Sequence, residues 1–209
     1  MSRRRRLLIG VIATLLVIFA IPLALRVGGF IRFFWQPSSS MEPTIHEGDR
    51  FVAWTRQPAE FKRGDIVLAD AGTSGIWVKR VIGLPGDEIR MIDGVIYLNG
   101  QAVPLRLVEA NIRLPRSARP ARRLSEQLPG EAAPHQIYDT DISPLDELEP
   151  QRVAPGHLFL MGDNRDDSVD SRMPPGGPAG GLGQVRFEQI VGVPWFYYSW
   201  SRFGEAAGH

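Results

Sequence analysis

The stretch Asp93-Gly94-Val95-Ile96-Tyr97-Leu98-Asn99-Gly100 is the clearest indicator of the fold. An apolar run suited to a β-strand lies between an Asp-Gly and an Asn-Gly pair, and both pairs are typical of tight hairpin turns because glycine accepts a positive φ. Similar short runs follow Gly-Asp pairs at residues 50–54 and 66–69, and another covers residues 76–82. The sequence therefore predicts a mainly β domain in which hairpins follow one another.

An apolar run without a charged residue, residues 7–25, precedes this β region. As a helix its 19 residues would span roughly 28 Å at about 1.5 Å per residue, close to the thickness of a bilayer's hydrocarbon core. Four arginines at residues 3–6 come before it without an acidic residue, which predicts a cytoplasmic N-terminus at residues 1–6. Residues 7–25 then form one transmembrane helix, and residues 26–209 lie outside the cytoplasm.

The residues around the run bear on an alternative, a cleavable secretory signal peptide. Such a peptide shares the basic start, but it usually has a shorter apolar core and ends in small residues. Here the run is followed by Phe30, Phe33, Phe34 and Trp35, which suit the aromatic belt of a membrane interface. We therefore favour a retained anchor in contact with the lipid bilayer.

The composition of the chain argues against several classes of function. The net charge is +1 and the four leading arginines supply +4, so the rest of the chain carries −3. Without a basic excess, no nucleic-acid partner is predicted. The absence of cysteine excludes disulfides, thiol catalysis and cysteine-ligated metals.

Two segments are harder to interpret. Residues 104–155 combine prolines, arginines and a later acidic patch without sustained periodicity, which indicates a long variable insertion of unassigned role. Residues 194–200, Pro-Trp-Phe-Tyr-Tyr-Ser-Trp, predict a terminal strand with core and rim aromatic residues. A surface that dips into the membrane is the alternative for these aromatic residues.

The lysines are the next informative feature. Only Lys62 and Lys79 are lysines among 24 basic residues. A buried lysine can lose its proton and act as a base, whereas arginine stays protonated. Lys62 lies in a polar turn and is expected to be solvated. Lys79 lies in the apolar run 76–82, where strand alternation can turn its side chain inward, although an exposed strand lysine remains the alternative.

Residues 162–172, Gly-Asp-Asn-Arg-Asp-Asp-Ser-Val-Asp-Ser-Arg, are rich in side chains that fix turns. A calcium loop starting at Asp163 would need glycine at its sixth position and glutamate at its twelfth, where Ser168 and Pro174 stand. A network that braces an active site is the better interpretation, because Asp170 and Arg172 can pair while Ser168 offers a hydroxyl. No metal site is predicted.

Three boxes make the chain resemble the type I signal peptidases, membrane-bound serine proteases with a Ser/Lys dyad. Residues 38–44, S-S-S-M-E-P-T, are similar to the family's nucleophile box S-x-S-M-x-P-T. Residues 79–87, K-R-V-I-G-L-P-G-D, resemble its lysine box, and residues 162–172 resemble its box G-D-N-R-D-N-S-x-D-S-R. Residues 63–67, R-G-D-I-V, resemble a fourth, structural box.

The resemblance implies a role for each matching residue. Ser40 would be the nucleophile and Lys79 the general base, with the Ser38 hydroxyl donating to the oxyanion beside the backbone N–H of Ser40. Ser168 would orient the lysine nitrogen, and Asp170 with Arg172 would form a supporting salt bridge. Met41 would flank the substrate cleft. No cofactor is implied.

Two positions depart from the family's pattern. Asp167 replaces the usual asparagine and adds a negative charge beside Ser168, and Arg186 stands where proline is frequent. A histidine base is the alternative to Lys79, since His46 follows the serine turn, but no Ser-His-Asp arrangement can be identified from sequence order.

The resemblance also implies fold, activity and location. We expect an antiparallel, β-barrel-like catalytic domain on one transmembrane helix, held in the bacterial inner membrane with the domain on the periplasmic side. Its substrates would be secretory preproteins, cut after small residues of the Ala-x-Ala type and bound along an exposed strand edge. A dedicated maturation peptidase of a conjugation or pilus system and a non-enzymatic anchored β-domain are the alternatives.

Overall fold

The structure, a computed structural model, describes residues 3–115, 117, 119–140, 143–176 and 180–198. Helix α1 covers Arg3–Val27, and two short 3₁₀ turns cover Gly72–Ser74 and Phe187–Gln189. The described strands are β1 Ile31–Trp35, β2 Arg50–Trp54, β3 Ile66–Asp70, β4 Ile76–Gly83, β5 Glu88–Ile92, β6 Val95–Leu98, β7 Gln101–Ala102, β8 Leu105–Ile112, β9 Ala121–Glu126, β10 His135–Asp139, β11 Leu148–Arg152, β12 His157–Met161, β13 Val185–Arg186 and β14 Ile190–Tyr197.

Helix α1 contains the apolar run. Its segment Ile9–Val27 has a mean hydropathy of 2.4, and none of that segment is buried against the rest of the protein. Nineteen residues of this composition are long and apolar enough to cross a membrane. The predicted apolar helix is therefore confirmed, while its orientation stays a prediction.

The largest element is a seven-stranded antiparallel sheet with the order β1-β2-β14-β3-β4-β12-β13. Register shifts interrupt its ladders between β14 and each of its neighbours and between β4 and β12. Such bulges bend strands, and the sheet curls like half of a barrel. The predicted mainly antiparallel β fold is confirmed.

The predicted hairpin turns of the smaller sheet are also present. This four-stranded sheet has the order β11-β5-β6-β7. Asp93 and Gly94 join β5 to β6 with φ values of 49° and 76°, and Asn99 and Gly100 join β6 to β7 with 53° and 79°. Positive φ at both central residues is the geometry for which Asp-Gly and Asn-Gly pairs are selected.

The segment 104–155, without periodicity in sequence, is largely folded into strands. Strands β8, β9 and β10 form a three-stranded antiparallel sheet, here called the inserted sheet, and β11 joins the four-stranded sheet. Nearly all of β8 is exposed on both faces, and its ladder with β9 shifts register twice. Strand β8 therefore carries no two-residue alternation, and in β9 and β10 the buried positions include the charged Glu126, His135 and Asp139. Sequence analysis missed these strands for both reasons.

Three apolar clusters fill the interior. One lies between the two larger sheets and includes Ile82, Ile96 and Phe159. A second surrounds Met41 and contains Phe51 and Tyr197, and a third packs under β3, β12 and β14. The predicted terminal strand is confirmed as β14, with Tyr197 buried and Trp195 55% exposed, while Ser199 and Trp200 lie outside the described residues.

Candidate active site

The serine-rich segment forms a compact turn between β1 and β2. The N–H of Glu42 donates to the Ser39 carbonyl at 2.9 Å, and the N–H of Ile45 donates to the Met41 carbonyl at 2.8 Å. Ile45 and Met41 are completely buried in the second apolar cluster, which anchors the turn from below. The turn therefore holds Ser40 in a fixed place above the sheet.

Ser40 and Lys79 meet in this structure although 39 residues separate them. The Lys79 Nζ donates to the Ser40 Oγ at 2.8 Å, and the bond is buried. Lys79 lies in β4, opposite Val67 of β3, and is 3% exposed, as its apolar neighbours predict. Lys62, by contrast, is exposed.

Burial changes the protonation of Lys79. Its pKa is lowered from 10.5 to about 8, mainly by desolvation and also by the nearby Arg172, against the opposing charges of Asp170, Asp163 and Asp167. At pH 7 about one lysine in ten is then neutral, whereas at the unperturbed pKa only about one in 3,000 would be. A neutral amine can accept a proton from the hydroxyl that it contacts.

Ser38 lies on the other side of the Ser40 hydroxyl. The two side-chain oxygens are 3.2 Å apart. The buried Gln36 holds Ser38 by donating from Nε2 to its carbonyl at 3.0 Å and to its Oγ at 3.2 Å. Gln36 was not predicted as a site residue, and no motif in the sequence marks it.

The loop 162–172 carries the predicted salt bridge. Arg172 binds the Asp170 carboxylate through Nε at 2.9 Å and Nη2 at 2.8 Å, and both side chains are buried. Burial opposes the charge of Asp170, but Arg172 and then Lys79 outweigh it and lower the pKa of that carboxyl. Asp170 also accepts from the N–H of Gly162 at 3.1 Å, which fixes the start of the loop.

Ser168 is placed close to the pair without the predicted bond. Its buried Oγ has no hydrogen-bond partner among the residues that the structure describes. A Cβ on Gly162 would lie 2.3 Å from this oxygen and 2.5 Å from the Ser40 carbonyl oxygen. Glycine at 162 therefore allows Ser168 and the serine turn to approach, and orientation of Lys79 by Ser168 stays a prediction.

Asn164 and Asp167 fix the serine turn from the same loop. The Asn164 N–H donates to the Ser40 carbonyl at 3.1 Å, and its Nδ2 donates to the Ser39 carbonyl at 3.2 Å. The Ser39 hydroxyl donates to the Asp167 carboxylate. Both residues lie in the box quoted above, but their partners could not be identified from sequence.

A second buried charge network lies beneath this loop. Arg80, next to Lys79, binds Asp163 through Nε at 2.8 Å and Nη2 at 2.6 Å. Arg165 binds Glu126 of the inserted sheet through Nη1 at 2.8 Å. Burial opposes the charge of Glu126, but Arg165 and His135 outweigh it and lower the pKa of this carboxyl.

His135 extends the network within the inserted sheet. Its Nε2 lies 3.1 Å from Glu126 and its Nδ1 lies 2.9 Å from Glu131. Burial opposes the charge on His135, but the adjacent carboxylates of Glu126 and Glu131 outweigh it and raise the pKa. Neither Glu126 nor His135 carries a sequence signal, because both lie in the segment without periodicity.

The other candidates lie apart from the pair. The imidazole of His46 is half exposed, with Nδ1 3.9 Å from Glu42, whereas the Lys79 Nζ contacts the Ser40 hydroxyl. Asp139, Asp146 and Asp166 bring carboxylate oxygens within 4.8 Å of one another. This trio is the group of described residues that could hold a metal, although Asp139 is already paired with Arg122.

Fold and site together define a mainly β protein with a buried serine–lysine pair at the end of a curled sheet. Its sequence matches the family described as signal peptidase, peptidase S26, over residues 7–200. The chain belongs to this family.

Individual signal peptidases I are similar to this chain over most of its length. Signal peptidase I of Bacillus licheniformis is 32% identical over 186 residues, which are 87% of this chain and 84% of that protein. Signal peptidase I T of Bacillus subtilis (strain 168) is 35% identical over 186 residues, 87% of this chain and 81% of that protein. The crystal structure of a signal peptidase I from Enterococcus faecalis V583 aligns with 66% of this chain and 98% of that chain, at a TM-score of 0.38 and 24% identity.

Membership of the family makes the chain a serine endopeptidase, so the alternative of a non-enzymatic β-domain is not favoured. The family and the apolar helix α1 together indicate a membrane-anchored protein.

Proposed function

We propose that this chain removes N-terminal signal peptides from secreted preproteins, with Ser40 as nucleophile and Lys79 as general base. The observation that carries the proposal is the buried 2.8 Å contact between the two side chains. It is supported by the lowered pKa of Lys79, about 8, which provides the neutral amine that a base requires.

The proposed reaction proceeds in two steps. The Ser40 Oγ attacks the scissile carbonyl carbon while its proton passes to the Lys79 Nζ, and the ammonium then gives this proton to the leaving nitrogen. The C–N bond breaks and the signal peptide remains bound to Ser40 as an ester. Lys79, neutral again, takes a proton from a water molecule that attacks the ester carbon. The C–O bond to Ser40 breaks, the signal peptide leaves with a free carboxyl group, and the Lys79 ammonium returns its proton to the Ser40 Oγ.

Ser38 supplies the oxyanion donor in this proposal. Its hydroxyl lies 3.2 Å from the Ser40 Oγ, close to where the carbonyl oxygen of a bound substrate becomes negative. One preorganised donor of this kind contributes about 3 kcal/mol to transition-state stabilisation. Asp170 and Arg172 support the site from beneath by fixing the loop beside Lys79, and Met41 flanks the cleft.

The edge of β4 is where the substrate binds. Strand β3 pairs with residues 76–80 of β4, whereas the pairs with β12 start at Arg80 and extend to Gly83. In the described structure the first half of β4, directly before Lys79, therefore has no neighbouring strand on the edge where β12 pairs with its second half. An extended preprotein segment can add there as a further strand, with small side chains before the scissile bond facing the sheet.

The proposed setting is the bacterial inner membrane, with α1 as a single anchor and the β domain on the periplasmic side. The arginines preceding the apolar run favour this orientation, and exposed Phe33, Trp35 and Trp195 suit the membrane interface. Lipid is then a partner, and no nucleic-acid partner is proposed.

Substitution of Ser40 tests the proposal. In detergent or vesicles, Ser40→Ala should abolish cleavage of a purified preprotein, because among the described residues Ser40 is the hydroxyl that Lys79 binds. Its thermal unfolding should stay close to that of the wild type, since a turn hydroxyl adds little to the core. Wild-type turnover by the variant would contradict the assignment, and a panel of unrelated preproteins separates a general peptidase from one dedicated to pilins.

A further inference from the structure

A cavity of about 750 Å³ opens beside the serine turn. Described residues of the serine turn and of the loop 162–172 contribute to its wall. The others that line it are Leu114, Pro115, Ser117, Arg119, Thr140, Ser143 and Pro144. Its size falls in the range of pockets that hold drug-sized ligands, and thus a short peptide segment.

The cavity begins one residue from the nucleophile. Ser39 lines it, and so does Asn164, whose N–H donates to the Ser40 carbonyl at 3.1 Å. On the other side of Ser40, Met41 is completely buried among apolar side chains. Ser40 thus stands between an apolar cluster and a cavity whose charged groups are mostly carboxylates.

The wall of the cavity is acidic. Its charged groups are the carboxylates of Glu42, Glu47, Asp166 and Asp167 and the guanidinium of Arg119. One oxygen of Asp166 accepts from the Thr140 N–H and hydroxyl, while the other is buried without a hydrogen-bond partner in the described structure. The buried carboxylate of Asp146 lies next to Asp166 and adds to the negative potential, whereas the charge of the neighbouring Asp139 is compensated by Arg122.

We infer that this cavity, the acidic cavity, binds the first residues of the mature protein, on the leaving side of the scissile bond, and favours positive charge there. The inference rests on the proposed function. A signal peptide is apolar with small residues at its end, and it matches the apolar side of Ser40. The polar mature segment then extends past Ser39 into the acidic cavity.

The reaction itself produces a cation at this place. When the C–N bond breaks and Lys79 returns the serine proton, the new N-terminus of the mature protein is an amine with an ordinary pKa of about 7.7–8.0, which is largely protonated at neutral pH. The carboxylates of the acidic cavity stabilise this ammonium and any lysine or arginine that follows. They repel aspartate and glutamate at the same positions.

Three substrates test the inference. They share one signal sequence and one cleavage site, and they carry Lys-Lys, Gln-Gln or Glu-Glu at the second and third mature positions. We expect kcat/KM to fall in that order, with about a tenfold range from Lys-Lys to Glu-Glu, as a few partly screened charge pairs allow. The range should shrink as the salt concentration rises.

A double variant locates the effect. Glu42→Gln with Glu47→Gln keeps the side-chain shape and should cut the Lys-Lys to Glu-Glu ratio at least threefold. Because the ratio compares substrates on the same variant, a general change in turnover cancels. Glu188→Gln, an exposed carboxylate paired with Arg186 outside the cavity, is the matched control and should leave the ratio unchanged.

The outcomes separate the two proposals. If the wild type cleaves the Gln-Gln substrate but shows no preference, or if the ratio is the same in the double variant, the acidic cavity does not bind the mature segment. If the wild type cleaves none of the three, the proposed function fails and the inference fails with it.

Discussion

At the scale of single residues, a charged amino acid becomes a base only through its surroundings. Lys79 could be recognised in the sequence because lysine is rare in this chain and because this one lies in an apolar run. Its 2.8 Å contact with Ser40 could not be predicted, since only the folded sheet brings the two residues together. Nothing in the sequence marks Gln36, which holds Ser38, because its role depends only on the burial and orientation of its side chain.

Replacement of Lys79 by arginine separates charge from basicity. Lys79→Arg should lower kcat/KM by at least 10²- to 10⁴-fold, because the guanidinium stays protonated and cannot take the serine proton. Lys62→Arg, on the surface, is the matched control and should be silent. Initial rates on one preprotein measure both variants, and equal activity of the two would make Lys79 structural.

The pH profile reports the same lysine. Lys79 must be neutral to act, and its lowered pKa is about 8, so kcat/KM should rise about tenfold per pH unit below pH 8 and level off above it. A rise governed by an ionisation near pH 6.5 that disappears in His46→Ala would instead establish a histidine base.

Asp167→Asn tests the departure from the family's motif. The carboxylate favours the charged lysine and so raises the pKa of Lys79. Its removal should move the rising limb to lower pH and increase kcat/KM at pH 7 by at most about fivefold, since Asp167 is exposed and screened. Asparagine can still accept from Ser39, so the plateau should be unchanged. A pH profile with an unshifted rising limb would show that the charge of Asp167 does not affect the pKa of Lys79.

At the scale of elements, the inserted sheet supports the loop beside the serine. The Tyr138 N–H donates to the Asp163 carbonyl, and the Arg165 N–H donates to the Tyr138 carbonyl, each at 2.9 Å. Arg165 then pairs with Glu126 of the same sheet. Sequence analysis identified the loop and missed its support, because β9 and β10 bury charged side chains such as Glu126 and His135, which hides the apolar alternation of a strand.

Glu126→Gln measures that support. The substitution leaves the buried Arg165 without its counter-charge and should lower the free energy of unfolding by about 3–5 kcal/mol. Glu109→Gln removes an exposed partner of Arg123 in the same sheet and should cost about 1 kcal/mol or less. Denaturant unfolding of both variants gives the comparison. Equal losses would show that Glu126 does not tie the inserted sheet to the loop.

At the scale of the whole molecule, the strands with Gly-Asp, Asp-Gly or Asn-Gly boundaries were predicted at nearly their observed positions. The order of strands in the sheet was not. Strand β14 lies between β2 and β3, and such a pairing leaves no local pattern because it joins segments far apart in the chain. Hairpin turns are determined by residues adjacent in sequence, whereas the order of strands depends on how distant apolar residues pack into clusters.

The central place of β14 has a consequence for biosynthesis. Ser40 and Lys79 leave the ribosome early, but until β14 arrives β2 and β3 have open edges, and the sheet beneath the serine turn is incomplete. The loop with Asn164 and Asp167 also comes late, 125 and 128 residues after its partner Ser39. The nascent chain can therefore reach the membrane through its first helix well before it can cut anything, so proteolytic activity begins only when nearly all of the enzyme has been made.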